Sequence, residues 1–446
     1  MRRRVLLAAV VALGLTAAAC TSDTVTPVDR SGSVSGGSQA GEGLQIPAVT
    51  PGGAATAKGA IQDLCVPLSS PTGTPASGTL PPELAQIADQ VAAARGHAYE
   101  TPPKAEGITD QEMDRRLQES FQAYYPKGLY DRRTFAWRTI GVIPPDADLH
   151  EAYRAFLTGQ VVGFYDPETG ELVYLGSGDL GFTERLTLAH ELTHALDDQT
   201  FDLTRLDALV NTCQDEQAAA ALGLIEGSAQ YFSAASVAEN PDISLPDLIE
   251  AIAQAAAGGS APPGVPPFLY ATSIWPYVDG MSYVGTLAGT GGTGAVDSAF
   301  ERFPVSTEQV IHPDRYPSDR PTAVDVPDLT DALGQGWGDL DAMTIGEEWL
   351  RAMLALRLDG GVADDAAAGW DGGVYRAFTD GTDVVVVLRT AWDTTEDAAA
   401  FASALQEWSA AGGALQASVV QNEMEVTAVF STFKNARDVA VADLGP

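Results

Sequence analysis

Basic residues, histidine and cysteine are all scarce in this chain of 446 residues. Lysine and arginine number 25 against 60 acidic residues, which gives a formal net charge of -35 at pH 7. So acidic a surface repels the phosphates of nucleic acids and anionic lipid head groups, and we therefore set nucleic-acid binding aside. Histidine occurs five times and cysteine three times, so a cluster of either residue carries information.

The sequence also lacks an uninterrupted apolar run of the about 20 residues that a membrane-spanning helix needs. The apolar stretch 5–19 follows three arginines and ends just before Cys20, which is the layout of an export signal. A cysteine directly after small residues resembles a bacterial lipoprotein processing site, although Ala17 stands where leucine is usual. Residues 1–20 are therefore predicted to be a lipoprotein signal peptide, with lipid on Cys20 as the anchor to the outer face of the cytoplasmic membrane. The alternative is an ordinary secretory signal that is cut nearby.

The three cysteines are Cys20, Cys65 and Cys213. If Cys20 carries lipid, an even pair remains in an oxidising compartment, where such pairs form disulfides. This predicts a Cys65–Cys213 disulfide, and two free buried thiols are the alternative.

Composition divides the rest of the chain into three stretches. Residues 21–78 are rich in Ser, Gly, Thr and Pro, as is typical of a flexible tether. Residues 79–322 carry helical apolar patterns and the histidine motif described next. Residues 323–446 alternate short strands and helices without clustered His or Cys, which predicts a small α+β accessory domain.

The segment 183–199 contains HELTH, an HExxH pattern that runs from His190 to His194. The segment has no Gly or Pro, and Thr183 is a suitable N-cap, so it is predicted to be a helix. Because positions i and i+4 share one face of a helix, the two histidines can bind one metal ion. Glu191 lies beside them, where it reaches a metal-bound water and can act as a general base. The alternative is two hydrogen-bonded histidines on an ordinary helix.

Glu226 is the candidate third ligand, in a second helical stretch predicted from Asp215 to Asn240. A carboxylate amid this much apolar surface is costly to bury without a partner, and a zinc ion is such a partner. Two histidines and one glutamate leave a fourth position for water, as in catalytic zinc sites. The predicted cofactor is therefore one Zn2+ ion; the alternative is that Glu226 points to solvent.

HELTHALDDQ followed by LIEGSAQY resembles the gluzincin branch of the zincin metallopeptidases, similar in motif to the thermolysin group. It resembles more closely a set of predicted metallopeptidase lipoproteins of actinobacteria. The resemblance runs over residues 153–321 and more weakly beyond. It implies metal ligands at His190, His194 and Glu226, with Glu191 activating water.

Residues 161–165 and 171–175 are predicted strands around a turn at 166–170, which makes a hairpin just before the HExxH helix. In zincins a strand in this position lies at the sheet edge, where its free backbone groups can pair with an extended peptide. The alternative is a purely structural hairpin. The predicted fold class is α+β: a mainly helical zincin-like metallopeptidase domain with a small antiparallel sheet, plus the C-terminal unit.

Three further predictions concern the second half of the chain. A helix is predicted from Pro241 to Ala257, and the apolar segment 268–287 is predicted to be helical in part, interrupted at Pro276 and Gly280. Another helix is predicted over 344–356.

The polar block from Pro304 to Tyr316 offers a second catalytic group. Peptide hydrolysis places negative charge on the former carbonyl oxygen, which a positioned donor can stabilise. Among His312, Tyr316 and Glu308 we prefer His312; the alternative is a loop or helix-cap histidine.

Together these residues predict an exported zinc metallopeptidase that acts on a peptide or protein substrate. One alternative is a non-catalytic cell-surface binding or scaffold lipoprotein that retains a zincin fold. Another is a zinc hydrolase that acts on a non-peptide amide. The presence of Glu191 favours an enzyme, because a scaffold does not need a general base.

Overall fold

The computed structural model describes residues 57–66, 78–158, 161, 163–176, 180–238, 261–412 and 417–444. The predicted signal peptide with Cys20, most of the predicted tether and the predicted helix from Pro241 to Ala257 lie outside these residues. The described part of the protein is α+β, which confirms the predicted class. It contains no helix that is both long and apolar enough to cross a membrane.

The first half of the described chain is mainly helical and includes a small sheet. Its elements are α1 (Ala57–Leu64), α2 (Pro82–Arg95), β1 (Lys104–Ile108), α3 (Asp110–Tyr124), α4 (Lys127–Ile140), α5 (Leu149–Thr158), β2 (Gly163–Asp166), β3 (Glu171–Leu175), α6 (Phe182–Phe201), α7 (Arg205–Asn211) and α8 (Asp215–Ala238).

The second half continues with helices and then forms a larger sheet. Its elements are α9 (Pro267–Gly291), α10 (Thr293–Glu301), α11 (Thr307–Ile311), α12 (Thr330–Leu333), β4 (Gly338–Thr344), α13 (Glu347–Ala355), α14 (Gly360–Ala367), β5 (Trp370–Thr379), β6 (Val384–Trp392), α15 (Thr395–Ala411), β7 (Ser418–Asn422), β8 (Glu425–Ser431) and α16 (Lys434–Leu444). The predicted helix over 344–356 is shorter than expected, because Thr344 still belongs to β4.

The small sheet has the strand order β1-β3-β2, with β1 parallel and β2 antiparallel to β3. The predicted hairpin of β2 and β3 is confirmed. Its turn is held by Asp166, whose carboxylate accepts the Glu168 N–H at 3.0 Å and the Thr169 hydroxyl at 2.7 Å. Gly170 closes the turn with φ 65, a conformation that glycine adopts without a steric penalty.

Helix α9 runs unbroken through Pro276, so the predicted interruption of this segment is wrong. Proline removes one helical hydrogen bond. In compensation, α9 buries a face that includes Trp275, Tyr277 and Tyr283. Because most helical stability in proteins comes from packing, this burial outweighs the lost bond.

The large sheet is antiparallel, with the order β4-β5-β6-β8-β7. On β6, Val384, Val386 and Leu388 enter one apolar cluster, whereas Val385 and Val387 enter another. Alternate side chains of a strand point to opposite faces, so helices must cover both faces of this sheet. The second face is covered by apolar residues of α16 and of α1, which lies within the predicted tether.

The predicted accessory domain shares its core with the preceding helices. Trp137 of α4 and Phe268 of α9 lie in one buried cluster with Trp349, Trp370 and Trp392. Trp137 and Phe268 contact edge to face, with ring centroids 5.1 Å apart. The two parts are therefore packed together as one apolar core across the predicted boundary at residue 322.

Glu216, in the first turn of α8, links that helix to the C-terminal part. Its carboxylate accepts the Thr307 backbone N–H at 2.5 Å and the Thr307 hydroxyl at 2.8 Å. Its own backbone N–H donates to the Thr344 hydroxyl at 3.1 Å. Burial raises the pKa of Glu216 to about 8.

The predicted disulfide between Cys65 and Cys213 is confirmed, with Cα atoms 5.7 Å apart. It joins the end of α1 to the turn before α8 and closes a loop with a sequence separation of 148 residues. Long loops have much conformational entropy to lose when they are cross-linked in the unfolded chain.

We expect a Cys65→Ala/Cys213→Ala double variant to lose about 2 to 5 kcal/mol of unfolding free energy. Urea titrations of both proteins with and without reductant measure this loss. Reductant should lower the wild-type midpoint and leave the double variant unchanged. An equal response of the two proteins to reductant would contradict the structural role of the bridge.

Glu216 predicts a pH dependence of stability. Its pKa is 4.5 when unperturbed and about 8 when folded, so the folded state holds a proton that the unfolded state has released. The unfolding free energy therefore falls as pH rises from 4.5 towards 8. Glu216→Gln keeps an acceptor for Thr307 but cannot titrate. The unfolding free energy of this variant should therefore fall less than that of wild type between pH 5 and pH 8, by at least about 1 kcal/mol. Urea titrations at the two pH values test this, with Glu407→Gln, an exposed glutamate on α15, as the control that should behave like wild type.

Candidate metal centre

Helix α6 presents both motif histidines on one buried face. The side chains of His190 and His194 are 1% and 2% exposed, and their Nε2 atoms lie 3.0 Å apart. The helix begins at Phe182 with Gly181 as its N-cap and no side-chain cap, so the predicted N-cap at Thr183 is wrong. The i, i+4 placement of the histidines on one face is as predicted.

Helix α8 brings Glu226 to the same point. Its Oε2 lies 3.1 Å from His190 Nε2 and 3.3 Å from His194 Nε2, and the residue is 1% exposed. In a tetrahedral zinc site with bonds of about 2.0 to 2.1 Å, neighbouring ligand atoms lie about 3.3 Å apart. The donor set and its spacing therefore suit a divalent cation such as zinc. The alternative of a solvent-facing Glu226 is wrong.

Glycines allow α8 and α9 to touch backbone to backbone beside Glu226. A Cβ on Gly227 would lie 2.2 Å from the carbonyl carbon and oxygen of Gly280. A Cβ on Gly280 would lie 2.1 Å from the carbonyl oxygen of Gly223. Only glycine fits at such distances. Gly227, which directly follows Glu226 in the sequence, is therefore required by this close helix contact.

Two neighbours orient His190. Its Nδ1 lies 3.1 Å from the side-chain oxygen of Gln230, which is one turn after Glu226 on α8. Donation from Nδ1–H to this oxygen leaves the lone pair of Nε2 directed at the cluster, as metal-binding histidines require. Tyr277 of α9 stacks against the same imidazole, with ring centroids 6.1 Å apart and planes 26° apart.

A buried ionic network fixes α6 relative to α2 and α8. Arg95 of α2 pairs with Asp197 at 2.7 Å, and both side chains are fully buried. The other carboxylate oxygen of Asp197 accepts the Ser228 hydroxyl at 2.6 Å. Removing one partner of a buried pair leaves an uncompensated charge, which is strongly destabilising. Asp197 lies three residues after His194, and Ser228 lies two residues after Glu226. Their hydrogen bond therefore sets the spacing of α6 and α8 beside the cluster.

Glu191 lies fully buried beside the cluster, and its two carboxylate oxygens differ in their contacts. Its Oε2 accepts the backbone N–H of Tyr165 on β2 at 2.7 Å. Its Oε1 has no hydrogen-bond partner within the described residues. Burial raises the pKa of Glu191 to about 8, and a cation bound by the three ligands would lower it towards neutrality. A buried carboxylate with a vacant oxygen suits a general base.

Glu226 shows the opposite electrostatics. Burial by itself raises its pKa, but the adjacent His194 and His190 imidazoles outweigh this effect and lower the pKa to about 2. Glu226 is therefore an anion at neutral pH, as a metal ligand must be. Pairs of carboxylates whose pKa values are driven apart are typical of sites in which each has a separate chemical role.

The backbone N–H of Tyr165, on the edge strand β2, already has a hydrogen-bond acceptor. All four residues of β2 are buried, and the Tyr165 N–H is occupied by Glu191. A peptide that pairs with the edge at this residue would have to replace that hydrogen bond. The structure therefore assigns the hairpin a positioning role for Glu191.

His312 lies directly after α11, and its Nε2 is 2.9 Å from Oε1 of the buried Glu347 on α13. This contact raises the pKa of His312, with the Glu347 hydrogen bond as the largest cause. Glu347 does not belong to the group formed by His190, His194 and Glu226. A catalytic role for His312 stays a prediction.

The other two candidates from the polar block also have partners outside the cluster. Glu308 pairs with Arg315 at 2.9 Å. The hydroxyl of Tyr316 donates to the backbone carbonyl of Arg302 at 2.8 Å. The structure therefore brings together the four motif residues and leaves this block bonded elsewhere.

Sequence reasoning missed Gln230, Tyr277 and Arg95 as neighbours of the cluster. Gln230 could have been found, because it lies at i+4 from Glu226 and so on the same face of α8. Tyr277 and Arg95 belong to other helices. No local pattern in the sequence relates them to the histidines.

We expect Gly227→Ala to destabilise the protein by about 1 to 3 kcal/mol or more, because its methyl group would collide with the Gly280 backbone. Zinc affinity should fall as well, since the collision displaces Glu226. Urea titration and competition with a zinc chelator measure the two effects. Gly289→Ala on α9 is the matched control, because a Cβ at that position would have nothing within 4 Å. That change should stabilise by about 0.5 to 1 kcal/mol. Equal effects of the two substitutions would contradict the close helix contact.

Comparison with known proteins gives a match at the C-terminal end. Residues 333–444 match the family model described as a domain of unknown function (DUF8575). No curated protein and no solved structure matches the chain. The matched segment contains none of the four clustered residues.

Proposed function

We propose that this chain is a zinc-dependent peptidase that is exported and anchored by lipid on Cys20. The observation that carries the proposal is the convergence of His190, His194 and Glu226, with Glu191 beside them. The potential ligand atoms of His190, His194 and Glu226 all lie within 4.8 Å of one another. Three protein ligands of this kind, with a fourth position for water, are typical of catalytic rather than structural zinc sites.

Each residue has a distinct role in the proposed hydrolysis. His190, His194 and Glu226 hold the ion, and Gln230 keeps the His190 ring in the required tautomer. When bound, zinc supplies Lewis acidity that polarises the scissile carbonyl and makes water acidic enough to lose a proton near neutral pH. Glu191 takes that proton at Oε1 and returns it to the nitrogen of the leaving amine. The Tyr165 N–H holds the other oxygen of Glu191 throughout.

The disulfide supports the proposed location outside the cytoplasm. Such bonds persist in oxidising compartments and are rare where thiols are kept reduced. Cys65 and Cys213 form that bond, which leaves Cys20 as the remaining cysteine of three. A cysteine outside that bond, at the end of the predicted signal peptide, agrees with lipid attachment there.

We expect Glu191→Gln to retain zinc and to lose about 100-fold to 10,000-fold in turnover, because the general base is removed while the ligands remain. His190→Ala should lose both zinc and activity. Zinc content is measured by elemental analysis after dialysis, and activity by hydrolysis of a broad peptide library. Glu226→Gln provides a second ligand variant in case His190→Ala does not fold.

The control is Glu184→Gln, on the same helix outside the cluster, which should resemble wild type. Undiminished hydrolysis in Glu191→Gln would reject the proposed general base. Wild-type protein that binds zinc but hydrolyses no peptide would reject the peptidase and favour a binding or scaffold role. Wild-type protein that binds no zinc would reject the metal centre itself.

A further inference from the structure

Tyr165 of β2 is hydrogen-bonded to helix α6 at two points. Its backbone N–H donates to Glu191 Oε2 at 2.7 Å, as described above, and its hydroxyl donates to Asp198 Oδ2 at 2.7 Å. Glu191 and Asp198 are seven residues apart, which is two turns of a helix, so their side chains leave α6 on the same side. One buried strand residue therefore bridges two turns of the helix that carries the candidate general base.

Asp198 is itself held in place by a second contact. Its other carboxylate oxygen, Oδ1, accepts the backbone N–H of Leu203 at 3.0 Å, just beyond the end of α6. A carboxylate that is bonded through both oxygens cannot rotate without losing one of these bonds. Oδ2 therefore offers a fixed anchor to the Tyr165 hydroxyl. The anchor lies in the last turn of α6, four residues after the candidate ligand His194.

We propose that Asp198 and the Tyr165 hydroxyl form a clamp that positions Glu191, an inference that rests on the proposed function. A glutamate side chain has three rotatable bonds, so the place of the Tyr165 N–H decides how the Glu191 carboxylate turns. One hydrogen bond fixes a single point of the strand, whereas a second bond two turns away also fixes its direction along α6. Tyr165 and Asp198 are positioning residues, because they act on the reaction only through Glu191.

The test is a double-mutant cycle of Tyr165→Phe and Asp198→Ala. Phenylalanine keeps the ring and the backbone N–H and removes only the hydroxyl. The direct readout is amide hydrogen exchange at residue 165 in the metal-free protein, measured by mass spectrometry of overlapping peptides that cover β2. We expect Tyr165→Phe to speed this exchange about 3-fold to 10-fold, as the loss of a typical hydrogen bond predicts. In the Asp198→Ala background the same substitution should change the rate by no more than about 2-fold, because the bond is already absent.

A second readout separates positioning from metal binding. Tyr165→Phe should keep the zinc affinity and the KM of wild type and lose about 10-fold to 100-fold in kcat, because Glu191 is displaced while the ligands stay. Peptide hydrolysis and competition with a zinc chelator measure these quantities.

The matched control is Tyr99→Phe, which removes another hydroxyl that is bonded to α6. That hydroxyl donates to the Leu192 carbonyl at 2.8 Å and does not contact β2 through this bond. Its removal should leave exchange at residue 165 as in wild type. Thermal unfolding of the variants shows whether either substitution acts through general stability.

Four outcomes would overturn the inference. The first is wild-type exchange at residue 165 in Tyr165→Phe; the proposed function would then stand without the clamp. The second is an equal acceleration in the Asp198→Ala background or in Tyr99→Phe, which would assign the effect to general loosening of α6. The third is faster exchange in Tyr165→Phe with the kcat of wild type. The fourth is wild-type protein that hydrolyses no peptide, which removes the general base itself whatever the exchange rates show.

Discussion

Helices α8 and α9 approach so closely that their backbones touch at Gly223, Gly227 and Gly280, and the candidate metal centre depends on this contact. It places Glu226 deep in the core, beside the histidines of α6 rather than in solvent. It also brings Tyr277 of α9 against the His190 ring. A side chain at Gly227 or Gly280 would separate the helices and the residues that they carry.

Burial then determines the electrostatics of the site. A carboxylate removed from water must be neutralised or paired. Glu226 is paired with two imidazoles and stays ionised, whereas Glu191 accepts the Tyr165 N–H and burial raises its pKa. Two glutamates in one apolar region thus acquire different protonation behaviour from their different neighbours. This contrast is what a metal ligand and a proton-transferring base require.

The C-terminal part contributes to the site through structure rather than through chemistry. Its sheet shares an apolar core with α4 and α9, and Thr344 of its first strand bonds the first turn of α8. The same α8 carries Glu226 ten residues later. The segment that matches a domain of unknown function is therefore part of the support for the ligand helix, although it holds none of the clustered residues.

The amino-acid sequence by itself determined whatever depends on short-range periodicity or on counting. The i, i+4 spacing placed His190 and His194 on one face, alternating apolar residues and a turn signal predicted the β2–β3 hairpin, and three cysteines predicted one disulfide. Helical apolar spacing likewise placed Glu226 on a helix, though it did not settle whether that residue faced the histidines.

Only the tertiary structure decided the contacts between elements that are far apart in the chain. Pro276 read as a helix breaker because local propensity takes no account of the apolar face that α9 buries against α8. The contact between His312 and Glu347, 35 positions away in another helix, was not readable from the sequence either. Tyr277 and Arg95 were overlooked for the same reason. Local sequence specifies which face of a helix is apolar, but which residues meet across two such faces is settled by the packing of the whole core.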